Sequence, residues 1–218
     1  MTDRRRELEE NLRAVEAEIA PYSPTLIVVT KTYPLSDVEI LKDLGADNFG
    51  ENRSSEGLEK SAGVKATWHY QGEIQSKKIR EILSWAVCIH SLDSAAHAAK
   101  ISRALDESGE KVDAFLQLSL DGDPNRGGLV ESDLLQLAEE VNKYPQINLL
   151  GLMSVPPVEY EVGKAFKEIS LAHQRFIAHY PAAKFLSAGM SGDYLIALDH
   201  GATHIRIGSK ILGARQYH

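Results

Sequence analysis

The sequence predicts an α/β fold in which residues 1–218 form a single (β/α)8 TIM barrel, entered through an extra N-terminal helix. Three observations point there. Eight short apolar runs alternate with longer stretches of helical periodicity. Glycine or proline falls where most of those stretches should stop. The turn after the first run, Lys31-Thr32-Tyr33-Pro34, lacks the glycine-rich loop that a doubly wound open sheet would carry.

In chain order, residues 2–20 read as an amphipathic helix whose Arg4, Arg5 and Arg6 sit among glutamates as a solvated face. The first apolar run, 26–31, is a strand in which Ile27, Val29 and Lys31 share one side, since side chains alternate across a strand. A helix over 36–44 stops at Gly45, and 46–51 is the second strand. The third strand, 66–72, follows Gly63 and leads into a helix over 74–83; the fourth, 86–91, leads into one over 95–105 that stops before Gly109. Strand five, 113–120, precedes a helix over 129–141 closed by Pro145, and strand six, 148–155, precedes one over 163–179 closed by Pro181. Strand seven, 184–189, opens into a helix over 191–200 closed by Gly201. Strand eight, 204–208, sets Ile205 and Ile207 on one face and His204, Arg206 and Gly208 on the other.

Composition narrows the function classes. A hydrophobic fraction of 43% and a charged fraction of 25% are ordinary for a globular domain. The net charge is -7, with no dense basic tract beyond Arg4 to Arg6 and Lys77-Lys78-Ile79-Arg80, which argues against a nucleic-acid surface. Cys88 is the only cysteine, so an intramolecular disulfide and a cysteine-cluster zinc site are excluded; it lies in an apolar run and reads as a core thiol. The N-terminus lacks an apolar signal core, and no stretch approaches the roughly 18 apolar residues of a membrane span. A cytoplasmic monomer is the expectation.

The chemistry gathers at the C-terminal tips of the strands, where barrels of this kind place their sites. Lys31 at the tip of strand one is a candidate amine nucleophile once its neutral form is favoured by burial or by a neighbouring cation. Arg206 in strand eight is a permanent cation on the face the isoleucines leave free. Ser187-Ala188-Gly189-Met190-Ser191-Gly192 and Gly208-Ser209 combine hydroxyls with glycine, allowing backbone N–H groups to approach a phosphate after strands seven and eight. An amine, a fixed cation and a phosphate cradle together suggest pyridoxal 5'-phosphate. Read alone, Lys31 could be a snorkelling strand-end lysine, and Arg206 could pair with Glu51.

Other patterns fail. Asp121-Gly122-Asp123-Pro124-Asn125 begins like a calcium loop, but Arg126 and Ser132 occupy positions that need glycine and glutamate. Gly189 to Asp193 misses the nucleophile elbow at its fifth residue. The eight histidines show no metal-ligand spacing; His69, at the tip of strand three, is the one expected near the site.

Taken as a set, Val29-Thr30-Lys31, Gly50-Glu51-Asn52, Trp68-His69, Gly72 to Lys78, Gly151-Leu152-Met153, Leu186 to Asp193, and Arg206 to Ser209 through Leu212-Gly213-Ala214-Arg215 carry a resemblance. The chain resembles the pyridoxal phosphate homeostasis proteins (the YggS and proline synthetase co-transcribed homologue family), which share the barrel of alanine racemase's N-terminal domain. That resemblance implies that Lys31 holds pyridoxal 5'-phosphate as an internal aldimine, that Ser191, Gly208 and Ser209 hold the phosphate, and that Arg206 faces the pyridine nitrogen. Asn52, Met153 and Ser187 would line the pocket. Residues 73–78 depart from the family pattern, lacking its histidine after the glycine and its asparagine before the last lysine.

An arginine at the pyridine nitrogen can only donate, which weakens the cofactor as an electron sink. A two-base racemase also needs a second acid or base opposite the lysine, which alanine racemases take from a further C-terminal domain; the chain ends at His218, just past strand eight. The expected role is therefore a carrier or regulator of cofactor levels and not a dedicated catalyst. Its expected partners are pyridoxal phosphate, other B6 vitamers and cofactor-dependent apoenzymes. The alternatives are a weak or narrow amino-acid racemase and a cofactor-free Schiff-base aldolase.

Overall fold

A computed structural model describes residues 3–106, 108–123 and 126–214. Pro124, Asn125 and Arg215, which figure in the motifs above, lie outside the described residues.

Eight parallel strands close into a barrel in chain order. They are β1 Thr25–Val29, β2 Asn48–Glu51, β3 Thr67–Tyr70, β4 Cys88–Leu92, β5 Val112–Leu118, β6 Ile147–Ser154, β7 Phe185–Ser187 and β8 His204–Ile207. The (β/α)8 expectation is met, with each strand inside or within a residue of its expected run. Closure is completed by β1 pairing with β8 from Thr25 opposite His204 to Val28 opposite Ile207.

The helices are α1 Asp3–Ile19, α2 Leu35–Asp43, α3 Ser54–Gly63, α4 Ile79–Leu83, α5 Ala95–Asp106, α6 Glu131–Val141, α7 Val162–His179, α8 Tyr194–Asp199 and α9 Ser209–Leu212. In α1 the buried residues are Leu8, Leu12, Val15 and Ile19, a spacing that puts one apolar stripe against the rest of the molecule. Arg4 is not part of a solvated face. Its guanidinium meets the buried Asp37 carboxylate of α2 at 2.5 Å and the Leu212 carbonyl of α9 at 3.0 Å, so it ties the extra helix to both ends of the barrel wall. Arg5 and Arg6 make surface pairs with Asp43 and Asp3.

Two segments differ from the sequence expectation. Residues 74–83 do not form one helix; a 3-10 turn, Ser76–Lys78, precedes the short α4. Helix α3 is not among the helices named from the sequence; its three serines and two glycines are weak helix formers, because serine competes with the helix for backbone hydrogen bonds and glycine resists ordering. Tertiary packing overrides that weakness. A β-carbon at Gly57 would come within 2.3 Å of the Trp85 ring, so glycine is what lets α3 lie flat on that indole.

The core divides by strand alternation. Leu26 and Val28 of β1, with Ile205 and Ile207 of β8, face outward into the large apolar layer beneath the helices. The opposite set fills the barrel axis, and there the usual Val, Ile and Leu layers give way to His69, Cys88, His90, Phe115, Ser187 and Arg206. Such an interior is stable only if every polar group is bonded.

Candidate functional site

At the C-terminal mouth of the barrel a cavity of about 350 Å³ is lined by Lys31, Asn52, Met153, Ser191, Arg206, Gly208 and Ser209, together with Val29, Gln71, Val155, Met190 and Gly192. Seven of the eight residues that the resemblance assigns to the cofactor thus meet in one place. In a chain of net charge -7, none of the lining residues is acidic. Asn52, Gln71, Met153 and Val155 also border a neighbouring cavity of about 630 Å³ over β3 to β6, which contains Glu73, Asp93, His97 and Arg126.

Lys31 lies beyond the end of β1, in the turn that follows it, and not on the strand itself. The backbone on each side of it is clamped. Thr30 donates its N–H to Gly50 at 3.0 Å, while its carbonyl accepts from the Lys60 amine at 2.7 Å. The next residue, Thr32, has φ +70°, an uncommon conformation for a β-branched residue, and its N–H is held by the Glu56 carboxylate at 2.7 Å. Lys60 and Glu51 are both buried and meet at 2.6 Å, and the Thr30 hydroxyl donates to the same Glu51 oxygen at 2.6 Å. Burial raises the Glu51 carboxyl above its ordinary range against the pull of Lys60. The other Glu51 oxygen has no hydrogen-bond partner among the described residues. Glu51 therefore pairs with Lys60 toward α3 and not with Arg206.

Arg206 is 5% exposed and forms no ion pair among the described residues. Its guanidinium donates to the Ser187 carbonyl and hydroxyl, each at 2.8 Å, and to the Ser154 carbonyl at 3.2 Å. Burial lowers its pKa to about 10, with Asp193 pulling the other way, so it stays a cation at neutral pH, held by dipoles. Ser191 reaches across from the β7–α8 turn, and its hydroxyl oxygen accepts from the N–H groups of Gly208 at 3.2 Å and Lys210 at 3.3 Å. That convergence of a hydroxyl with N–H groups is suited to phosphate oxygens.

Two expectations need correcting. Ser187 does not line the cavity: it is fully buried, one layer deeper, because Arg206 lies over it. His69 does not reach the mouth either; it bonds Asn48 at the start of β2 and His90 in the axis. Sequence reading also missed residues that shape the site. Gln71 follows β3 and its side-chain nitrogen, buried without a partner among the described residues, sits at the wall shared by the two cavities. Gly50 makes room for it, since a β-carbon there would meet that nitrogen at 2.6 Å. Alternation through Cys88-Ile89-His90 was the available signal for His90, which shares the inward face with Cys88.

Comparison with known proteins agrees with this fold. The family described as alanine racemase, N-terminal domain, matches residues 4–216. A pyridoxal phosphate homeostasis protein of Corynebacterium glutamicum is 38% identical over 201 residues, covering 88% of this chain and 91% of its own. One from Mycobacterium leprae is 33% identical and covers 97% and 94%. PipY of Synechococcus elongatus, solved with PLP bound, superposes with a TM-score of 0.87 at 30% identity, covering 94% of this chain and all of its own.

Proposed function

We propose that this chain, which belongs to the pyridoxal phosphate homeostasis proteins within the alanine racemase N-terminal domain family, binds pyridoxal 5'-phosphate in the cavity at the barrel mouth and serves intracellular homeostasis of that cofactor. The observation that carries this reading is the composition of the cavity wall. An amine, a guanidinium, hydroxyls and backbone N–H groups converge there without one carboxylate, which suits a phosphate ester bearing an aldehyde and a ring nitrogen. When bound, the cofactor supplies an aldehyde that condenses with a primary amine.

The chain's own residues divide the work. Lys31 is the amine, and the Lys60, Glu51 and Glu56 contacts hold the backbone around it so that its position is set before anything binds. Ser191, Gly208 and Ser209 hold the phosphate. Arg206 presents donors only, so it would donate to the pyridine nitrogen without protonating it. Asn52, Met153 and Gln71 close the side toward the neighbouring cavity.

The family is named for homeostasis of the cofactor and not for a reaction. In keeping with that, the chain acts as a single-domain carrier or regulator. The B6 vitamers are its small-molecule partners and cofactor-dependent apoenzymes its protein partners, and the working state is a cytoplasmic monomer. No helix among the described residues is long and apolar enough to cross a membrane.

Titration with pyridoxal 5'-phosphate and with pyridoxal, followed by the visible absorbance of the bound form, tests the reading. The phosphate ester is expected to bind at least tenfold more tightly, about 1.4 kcal/mol, and Ser191→Ala is expected to narrow that ratio. Equal affinity for the two would mean that the Ser191, Gly208 and Ser209 cluster holds no phosphate.

A further inference from the structure

Beneath Arg206 the barrel axis holds a continuous line of hydrogen bonds. Asn48 Oδ1 lies 3.1 Å from His69 Nε2, His69 Nδ1 lies 3.0 Å from His90 Nε2, His90 Nδ1 lies 2.8 Å from Ser187 Oγ, and Ser187 Oγ lies 2.8 Å from Arg206. The line crosses β2, β3, β4, β7 and β8 and runs from near the bottom of the barrel to the cavity floor. His90 is fully buried and stacks on Phe115 at 4.6 Å between ring centroids.

The chemistry of each group sets the direction of the line. An amide oxygen only accepts, so His69 carries its proton on Nε2 and leaves Nδ1 bare. Bare Nδ1 needs a donor, so His90 carries its proton on Nε2 and in turn leaves its own Nδ1 bare. Only the Ser187 hydroxyl is there to donate to that nitrogen. Its proton committed, the hydroxyl oxygen turns a lone pair to Arg206. Every polar atom in the line is satisfied with both rings neutral, which is also the state their burial favours. The opposite direction would leave the fully buried Ser187 proton without an acceptor among the described residues, at a cost of about 1–3 kcal/mol.

We propose that Asn48, His69, His90 and Ser187 form a one-directional hydrogen-bond chain that positions Arg206, making the two histidines positioning residues for the cation that faces the cofactor. The proposal rests on the reading of Arg206 given above. Its consequence is that the Ser187 lone pair, and with it the guanidinium's donor direction, depends on the proton position on rings that never touch the cofactor. The two histidines, with Cys88 beside them, also form a grouping with ligand atoms within 4.8 Å of one another. A metal there would take a nitrogen from each ring, and all four ring nitrogens are used by the chain; the 3.0 Å ring-to-ring distance is that of a hydrogen bond.

Two measurements test this. The first needs no cofactor: nitrogen NMR of histidine-labelled full-length protein at neutral pH is expected to show both rings neutral and protonated on Nε2. Protonation of either ring on Nδ1 overturns the direction, and one equivalent of zinc bound at these rings overturns the chain. The second uses the cofactor-loaded protein. Ser187→Ala, which removes one link with little change in volume, is expected to weaken cofactor binding by roughly three- to tenfold and to shift the absorption band of the bound form. His90→Phe is expected to shift the band in the same way. His90→Gln, whose amide again offers one acceptor and one donor, is expected to restore it. Bands identical to wild type in folded, cofactor-loaded Ser187→Ala and His90→Phe overturn the proposal. If the wild-type chain binds no cofactor, the reading of Arg206 fails while the proton positions still report on the chain.

Discussion

Lys31 shows what one residue's identity can and cannot convey. Its residue type and its place after a β-branched run mark it as a candidate amine, but the residues that hold it, Lys60 and Glu51, lie on a helix and a neighbouring strand and carry no pattern linking them to it. Breaking that buried pair leaves an uncompensated charge. Lys60→Met is therefore expected to destabilise the fold by about 3–5 kcal/mol, read by urea denaturation. Lys60→Met with Glu51→Gln is expected to recover part of the loss, and full additivity of the two losses would show that the pair does not act as a unit. At the same scale, Arg206→Lys keeps a cation but loses the planar fork that reaches both Ser187 and Ser154. The bound cofactor is expected to absorb at a different wavelength in that variant, and an unchanged spectrum would show that the guanidinium geometry is not felt at the ring.

Among elements, all eight strands were legible because each is a short apolar run bounded by breakers, and their inward and outward faces followed from alternation. The helices were legible only where apolar spacing is strong. α7 was, whereas α3 was not, since its Gly57 serves Trp85 and not the helix. Where Ile147–Ser154 pairs with β5, the register shifts between Ala114 and Phe115, and Gly151 takes φ +153°. A β-carbon at Gly151 would lie 1.8 Å from the Phe185 carbonyl oxygen of β7, a backbone atom that cannot swing away. Gly151→Ala is therefore expected to lose about 3 kcal/mol or more of stability, measured by thermal and urea unfolding. A loss within about 0.5 kcal/mol would mean that β6 and β7 separate easily at this point.

The whole molecule couples stability to pH through its polar axis. Burial pushes His69 down to about 3 and His204 down to about 4, and holds His90 well below its ordinary range. All three are neutral when folded, whereas in the unfolded chain they titrate near 6.5. Below about pH 6.5 the unfolded state thus binds more protons, and stability falls with falling pH until each folded value is reached. Each such ring is expected to remove about 2 kcal/mol between about pH 7 and about pH 5. Urea midpoints across that range measure it, and a flat profile would show that the rings are already charged in the fold. This polar filling was not legible in advance, because the hydrogen bonds join residues up to 97 positions apart on strands whose adjacency exists only after closure. What the sequence did carry was the set of groups at the mouth, and the barrel gathers all of them but Ser187 and His69 around one cavity. The most direct test of that gathering is borohydride reduction of the purified, cofactor-loaded protein followed by peptide mass mapping. The cofactor mass is expected on the peptide containing Lys31 and nowhere else; its attachment to any other lysine, or its absence from every peptide, would contradict the account.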